Sequence, residues 1–164
     1  MEKIFSYKEL KRFTKDVFRS INFSEADAEL AATGLLRADL RGIDSHGIAR
    51  LTGYVRLWEA KRANSRPRIE IVHETPSTGV VDGDSGLGLV VAPFAMDLAI
   101  RKAKNVGSGW IAVRNSNHFG IAAQHALKAL EEDMIGIVMT NASALVAPTF
   151  SNERLLGTNP ICVA

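Results

Sequence analysis

Three side chains with complementary chemistry recur every four residues within the segment from Arg41 to Tyr54. His46 can move a proton near neutral pH, Arg50 can hold a carboxylate through two parallel hydrogen bonds, and Tyr54 offers a phenol. Spacing of four places all three on one stripe of a helix. Two interpretations stay open at this point, a solvated helix face and a site that binds and protonates an acid.

Ser45 directly precedes this stripe and is placed either to cap the helix or to hydrogen-bond His46. The positive end of the helix dipole disfavours a second positive charge there, which predicts a neutral imidazole able to accept or relay a proton. A nucleophilic Ser45–His46 pair is a further alternative. Because the sequence has no Gly-x-Ser-x-Gly elbow, we favour the cap or relay.

Two further polar clusters follow predicted strands. Residues 115–118, Asn-Ser-Asn-His, come after an apolar run over 109–113 that predicts a buried strand, and residues 140–143 come after a second strand over 135–139. Open sheets bind ligands at the carboxyl ends of their strands. For the first cluster the alternatives are an imidazole oriented by polar neighbours and a plain helix-capping turn with Asn117 as the cap.

The remaining titratable candidates are weaker. Asp44, His46 and His118 have metal-binding side chains, but no local spacing such as His-x-x-x-His supports a metal site, so we expect none. His73 is expected to be an ordinary sheet residue. His125 is expected to point away from the core face of its helix, towards solvent or an interface, because the apolar residues Ala123, Ala126, Leu127 and Leu130 define the opposite side.

The composition is that of a globular protein: 164 residues, 46% hydrophobic, 23% charged and a net charge of +2, too small to indicate nucleic-acid or membrane binding. Cys162 is the only cysteine, which excludes an internal disulfide and fits a reducing, cytoplasmic setting; it is predicted to be buried and inert. Met1–Ile4 opens a polar segment without the apolar region of a signal peptide. The uncharged run after Asp133 is interrupted by polar residues and Pro148, so we expect no membrane span.

The first third of the chain is predicted to be helical. Ser6–Glu9 is a capping box and Ser24–Asp27 resembles a second one. The predicted apolar faces are Leu10, Phe13, Val17 and Ile21 for the first helix; Ala28, Ala32 and Leu35 for the second; and Ile48, Leu51, Val55 and Trp58 for the third. The third helix is expected to fray near 63–65, before Pro67.

After Pro67 the pattern changes to strands. Residues 68–74 alternate, with Ile69, Ile71 and His73 on one face, and a turn cluster over 75–79 leads to a short strand over 80–82, so a hairpin is predicted.

Residues 83–88 are glycine-rich and precede a helix that ends near Lys104. Val91 stands where a dinucleotide fingerprint has its third glycine, and no acidic residue lies between Asp97 and Glu131, so we reject a Rossmann site and predict a tight strand-to-helix turn.

The predicted order is three helices, then strand, strand, helix, strand, helix and strand. This order indicates an α/β or α+β fold with a mixed sheet, divided into a helical region over residues 1–67 and the first part of an α/β domain over 68–164. Ile161–Ala164 looks like the start of a buried strand, so we expect the front part of a longer protein.

The ordered set of motifs resembles the malate/L-lactate dehydrogenase-like family, which is distinct from the Rossmann lactate and malate dehydrogenases. The resemblance covers essentially the whole chain. It is carried by Asp44-Ser45-His46-Gly47 with Arg50 and Tyr54, by Asn115-Ser116-Asn117-His118-Phe119-Gly120, by Thr140-Asn141, by Val146-Ala147-Pro148, and by Leu156-Gly157-Thr158-Asn159-Pro160.

The resemblance implies a dimeric, NAD- or NADP-dependent oxidoreductase of small 2-hydroxy or 2-oxo acids with a non-Rossmann cofactor domain. It implies hydride transfer between C4 of the nicotinamide and C2 of the substrate. By the same resemblance, the acid/base candidates are His46 and His118, assisted by Ser45; the substrate-binding candidates are Arg50, Tyr54, Thr158 and Asn159; and the cofactor-binding candidates are His118, Asn141, Ser143 and Pro160.

Members of the family are about twice as long as this chain. We therefore expect residues 1–164 alone to be inactive or poorly folded unless the remainder is supplied. The competing hypotheses are a non-catalytic fragment or homologue that dimerises or binds a ligand, and a metal hydrolase built on the histidines.

Overall fold

A computed structural model describes residues 4–164. Its elements, in chain order, are α1 (Tyr7–Ser20), α2 (Glu25–Asp39), two 3-10 turns (Asp44–His46 and Ile48–Arg50), α3 (Leu51–Glu59), β1 (Glu70–Glu74), β2 (Thr78–Gly86), α4 (Gly88–Val106), β3 (Trp110–Ser116), α5 (Ala122–Leu130), β4 (Ile137–Met139) and β5 (Ile161–Val163). The predicted α/β class is confirmed, and so is the order of elements up to β4; the structure adds β5, which the stated order leaves out. The chain forms two compact units, one reaching to Ile121 and the other running from Ala122 to Ala164. The predicted domain division after residue 67 stays a prediction.

Both predicted helix starts of the first unit are confirmed. Ser6 Oγ accepts the Glu9 N–H at 3.2 Å, and Ser24 Oγ accepts the Asp27 N–H at 3.1 Å. The predicted face of α2 is buried as expected. The predicted face of α1 is partly wrong: Phe13 is 57% exposed, and the fully buried positions are Thr14 and Phe18. Packing against α2 therefore selects a stripe one residue further along α1.

The third helix is shorter than predicted at both ends. It begins at Leu51, directly after the second 3-10 turn, and Gly47, in an extended conformation, separates that turn from the one that carries His46. It ends at Glu59, four residues before the predicted frayed end, and Lys61 then adopts a left-handed conformation with φ of 57°. The helix still buries Leu51 and Tyr54 in the main core, together with Phe18, Leu35 and Leu89.

The sheet of the first unit is mixed, in the order β1-β2-β3: β1 and β2 form the predicted antiparallel hairpin, and β3 lies parallel to β2. A bulge makes Ile71 and His73 face the consecutive residues Val81 and Val80, so the expected placement of Ile71 and His73 on one face is wrong. The prediction that β3 is buried is also wrong, since Trp110 is 54% exposed. Within the described sheet, β3 is an edge strand with a single neighbour.

The second unit contains α5 and an antiparallel pair, β4 and β5, both of which contact α5. His125 is 2% exposed, so the prediction that it faces solvent is wrong, whereas Leu130 of the predicted core face is 47% exposed. Hydrophobicity alone predicted the wrong buried face for α5, because its buried side chains include the polar residues Gln124 and His125. Cys162 is half-buried rather than buried. Of the helices described, none is long and apolar enough to cross a lipid bilayer.

Candidate active site

The carboxylate of Asp39, at the end of α2, holds the chain between the two 3-10 turns. Asp39 Oδ2 accepts the Ile48 N–H at 2.8 Å. A Cβ built on Gly47 would overlap the Asp39 carboxylate, so only glycine fits this position while Asp39 keeps its place. The first turn, which carries His46, and the second turn, which carries Arg50, are thereby fixed relative to α2.

Ser45 links its neighbours His46 and Arg50. Ser45 Oγ lies 2.9 Å from His46 Nδ1, which confirms the expected hydrogen bond, and the turn has no side-chain cap. Arg50 Nε donates to the carbonyl oxygen of Ser45 at 2.6 Å. The arginine is thus anchored through Nε, and its two terminal nitrogens carry no hydrogen bond within residues 4–164.

The fold places His118 next to His46. The rings of His46 and His118 stack with centroids 5.5 Å apart and an interplanar angle of 25°. The hydroxyl of Tyr54, a residue 2% exposed, lies 2.7 Å from His118 Nδ1, whereas His118 itself is exposed. The interpretation of His46, Arg50 and Tyr54 as a solvated helix face is therefore wrong for Tyr54.

The loop after β3 that carries His118 is bound to the start of α4. Asn117 Nδ2 donates to the carbonyl oxygen of Ser85 at 2.7 Å, and the Gly88 N–H donates to the carbonyl oxygen of His118 at 3.1 Å. A Cβ on Gly88 would overlap Phe119, so only glycine fits here. This close approach confirms the predicted tight turn. Asn117 is not a helix cap: α5 begins only at Ala122, and the Asn117 amide holds the loop instead.

Both imidazoles are biased towards the neutral form. Desolvation by burial, followed by the charge of Arg50, lowers the pKa of His46. Burial around its ring, followed by the charges of His46 and Arg50, lowers the pKa of His118. The direction of the His46 shift agrees with the neutral imidazole predicted from the sequence, although His46 lies in a three-residue 3-10 turn rather than at the start of an α-helix. Burial also raises the pKa of Tyr54 well above its usual range, so this phenol keeps its proton.

The remaining candidates lie together in the second unit. The Ala142 N–H donates to Asn159 Oδ1 at 2.9 Å, and the Thr140 N–H donates to the Pro160 carbonyl at 3.3 Å. A Cβ on Gly157 would overlap the Ala142 carbonyl, so the segments 140–143 and 157–160 are in close contact. The side chains of Asn141, Ser143 and Thr158 are exposed beside these contacts.

These exposed amide and hydroxyl groups fit the hydrogen-bonding requirements of a nicotinamide cofactor, which presents ribose hydroxyls, phosphates and a carboxamide. Among residues 4–164 there is no cluster of three or more His, Cys, Asp or Glu side chains arranged to hold a metal ion.

The contacts that Asp39 and Gly120 make at the site could not be predicted from the sequence. Asp39 gave no signal because its partner, the backbone of Ile48, is nine residues away in an irregular segment. Gly120 belongs to the motif that ends Phe119-Gly120, and its φ of 76° explains the glycine. Its N–H lies 3.3 Å from His118 Nδ1, a contact that spacing alone does not reveal.

A stacked histidine pair beside an anchored arginine suits an enzyme that moves a proton next to a carboxylate, and comparison with known proteins agrees with that class. Residues 5–164 match the family described as malate/L-lactate dehydrogenase. The chain belongs to this family.

Three relatives illustrate the likeness. The chain is 53% identical to a malate dehydrogenase of Pyrococcus abyssi, covering 95% of this chain and 43% of that protein. It is 47% identical to an L-sulfolactate dehydrogenase of Methanocaldococcus jannaschii, covering 94% of this chain and 45% of that protein. The structure of malate dehydrogenase from Pyrococcus horikoshii superposes with a TM-score of 0.93 at 46% identity, covering 99% of this chain and 49% of that one. The chain thus spans slightly less than half the length of these relatives.

Proposed function

We propose that this chain carries part of the active site of an NAD- or NADP-dependent oxidoreductase that interconverts small 2-hydroxy and 2-oxo acids. The observation that carries the proposal is the stacked pair His46 and His118, 5.5 Å apart, next to Arg50. Relatives named as malate, sulfolactate and hydroxycarboxylate dehydrogenases support it.

Arg50 is the residue that binds the substrate carboxylate. Its Nε is held by the Ser45 carbonyl, so the orientation of the guanidinium is set before the substrate arrives. The terminal nitrogens can then form the paired hydrogen bonds that suit a carboxylate. In a 2-oxo or 2-hydroxy acid, C2 is bonded to the carboxylate carbon. Binding of the carboxylate by Arg50 therefore also positions the C2 oxygen.

The two histidines serve the C2 oxygen. Burial and the nearby Arg50 lower the pKa of both imidazoles and so favour their neutral forms. A neutral imidazole can accept a proton from an alcohol through its unprotonated nitrogen or donate a hydrogen bond through its N–H. Ser45 Oγ, 2.9 Å from His46 Nδ1, orients that ring. During reduction, a histidine that has first taken up a proton from solvent protonates the forming alkoxide, and the other stabilises it as a hydrogen-bond donor.

When bound, the nicotinamide supplies or accepts the hydride at C2 of the substrate. Asn141, Ser143 and Pro160, in the second unit, are proposed cofactor contacts, as is His118 in the first. Thr158 and Asn159 are proposed substrate contacts. We further propose that the protein acts as a cytoplasmic homodimer, with a small hydroxy acid as its substrate.

Oxidation of NADH and NADPH by the natural-length protein, assayed against a panel of 2-oxo acids, tests the function. We expect turnover with at least one acid and loss of most activity in Arg50→Ala, chiefly as a higher KM. Arg56→Ala, at an exposed arginine of α3 outside the proposed site, is the matched control. A folded protein that turns over none of the acids with either cofactor would contradict the proposal and favour a module that only binds.

A further inference from the structure

His118 Nδ1 has two hydrogen-bonding neighbours of different character. The Tyr54 hydroxyl lies 2.7 Å away and can either donate or accept, whereas the Gly120 backbone N–H lies 3.3 Å away and can only donate. The Gly120 N–H favours the tautomer in which Nδ1 presents its single lone pair, shared between this N–H and the Tyr54 hydroxyl as donors, with the ring proton on Nε2.

We propose that Tyr54 and Gly120 hold His118 as the neutral Nε2–H tautomer, so that His118 presents a hydrogen-bond donor to the C2 oxygen of the substrate. In this assignment Tyr54 is a positioning residue that acts through His118 and does not contact the carboxylate. The inference rests on the proposed function for its substrate, although the tautomer itself can be observed without it.

The surroundings keep this arrangement in place. Residue 120 has a φ of 76°, which favours glycine, and a Cβ there would lie 2.9 Å from Leu89 Cδ2. Both observations explain why glycine occupies the position whose N–H donates to His118. Tyr54 is packed against Phe18, with ring centroids 6.2 Å apart, and is 2% exposed. The buried phenol resists ionisation, so it remains a donor.

The Gly120 N–H and the neighbouring charges oppose protonation of His118 Nδ1. A proton on Nδ1 would point at the Gly120 N–H, and the charged or titratable groups facing the ring are His46, Arg50 and Tyr54, which bring no negative charge to stabilise a cation. A neutral Nε2–H imidazole can donate a hydrogen bond but cannot release its proton without becoming an anion.

The transferred proton is then assigned to His46. In the reduction, His46 first takes up a proton from solvent. Hydride addition at C2 then turns the carbonyl oxygen into an alkoxide, and the His46 imidazolium gives it that proton and becomes neutral. In the oxidation, neutral His46 takes the hydroxyl proton as the hydride leaves C2. His118 keeps its proton in both directions and stabilises the charge on the oxygen.

Nitrogen NMR of the natural-length protein labelled with ¹⁵N-histidine reads the tautomer directly, with His118→Gln used to assign the signals. We expect His118 to show a protonated Nε2 and an unprotonated, hydrogen-bonded Nδ1 at neutral pH. In Tyr54→Phe the Nδ1 resonance should move towards that of a nitrogen without a strong hydrogen bond. A proton on Nδ1, or an imidazolium at neutral pH, would overturn the proposal.

Kinetics separate positioning from substrate binding. Tyr54→Phe removes one oxygen, and we expect kcat to fall about tenfold, the worth of a single hydrogen bond, with KM nearly unchanged. Tyr7→Phe makes the same chemical change at the only other tyrosine, an exposed residue of α1, and should leave both constants unchanged. A rise in KM at constant kcat in Tyr54→Phe would mean that Tyr54 binds the substrate itself.

The two proposals fail in different ways. A wild-type protein without turnover would remove the oxidoreductase function while the NMR result still reports the tautomer. An active enzyme whose His118 carries its proton on Nδ1 would keep the function and overturn the assignment of roles to Tyr54, His118 and His46.

Discussion

At the scale of single residues, the site depends on close backbone approaches that only glycine allows. Gly47 is the clearest example, because its missing side chain leaves the space that the Asp39 carboxylate occupies. The Asp39 bond to the Ile48 N–H, at 2.8 Å, then fixes the turn between His46 and Arg50. A charged acceptor on a backbone donor is among the stronger single hydrogen bonds in a protein.

Gly47→Ala should therefore destabilise the protein by about 1–3 kcal/mol, since the new methyl group displaces Asp39 and leaves the Ile48 N–H without its partner. Gly53→Ala is the matched control: nothing lies within 4 Å of a Cβ built there, and alanine in α3 should stabilise by about 0.5–1 kcal/mol. Urea denaturation of both variants measures the difference. Equal stabilities for the two variants would refute the role of Asp39.

The sequence was informative about these residues to different degrees. The types and spacing of His46, Arg50 and His118 identified candidates for acid/base chemistry and carboxylate binding, and the structure groups them. The burial of Tyr54 and its bond to His118, 64 positions later in the chain, could not be predicted, because pattern arguments reach only neighbours along an element.

At the scale of elements, the start of α4 positions the loop that carries His118. The turn from β2 into α4 has glycines at Gly86 and Gly88, and the Gly88 N–H binds the His118 carbonyl. The sequence argued against a Rossmann fingerprint here and predicted a tight strand-to-helix turn, and the turn is confirmed. It did not predict what the turn contacts, since the partner loop follows a different strand.

Gly88→Ala should force α4 and the segment with Phe119 apart, because the added methyl group would overlap Phe119. We expect a loss of about 1–3 kcal/mol in stability, the usual cost of overpacking a close contact. We also expect a shift in the His118 ring signals in NMR, as the loop moves with α4. Unchanged stability together with unchanged His118 signals would show that this contact does not position the site.

Element predictions failed where burial depends on partners outside the element. The apolar run of β3 predicted a buried strand, yet β3 is an exposed edge of the described sheet. The buried face of α5 was predicted from its most hydrophobic residues, but His125 is among its buried side chains. Periodicity identifies an element and its type more reliably than the side that becomes covered.

At the scale of the whole molecule, the lowered pKa values of His46 and His118 predict how stability depends on pH. The unfolded chain has ordinary histidine values near 6.5, above those of the folded state. As pH falls from 6.5 through the folded values, the unfolded state binds more protons, so the free energy of unfolding should decrease.

The carboxylates with lowered pKa, among them Glu74 and Asp82, lose their contribution only at more acidic pH, below their ordinary values of 4.5 and 3.8. Urea denaturation across the histidine range, compared with a His46→Gln/His118→Gln variant, checks the prediction. The double variant should show a weaker dependence on pH. Stability that rises as the pH falls through this range would contradict the assigned direction of both shifts.

The measurement that tests the central claim most directly is the fate of a labelled hydride. The natural-length protein is incubated with NADH or NADPH carrying deuterium at C4 and with each 2-oxo acid of the panel, and the products are analysed by mass spectrometry. We expect deuterium at C2 of the 2-hydroxy acid, and a loss of this transfer in His46→Ala. Product that forms without deuterium from either face of the cofactor, or no product with any acid, would contradict hydride transfer at this site.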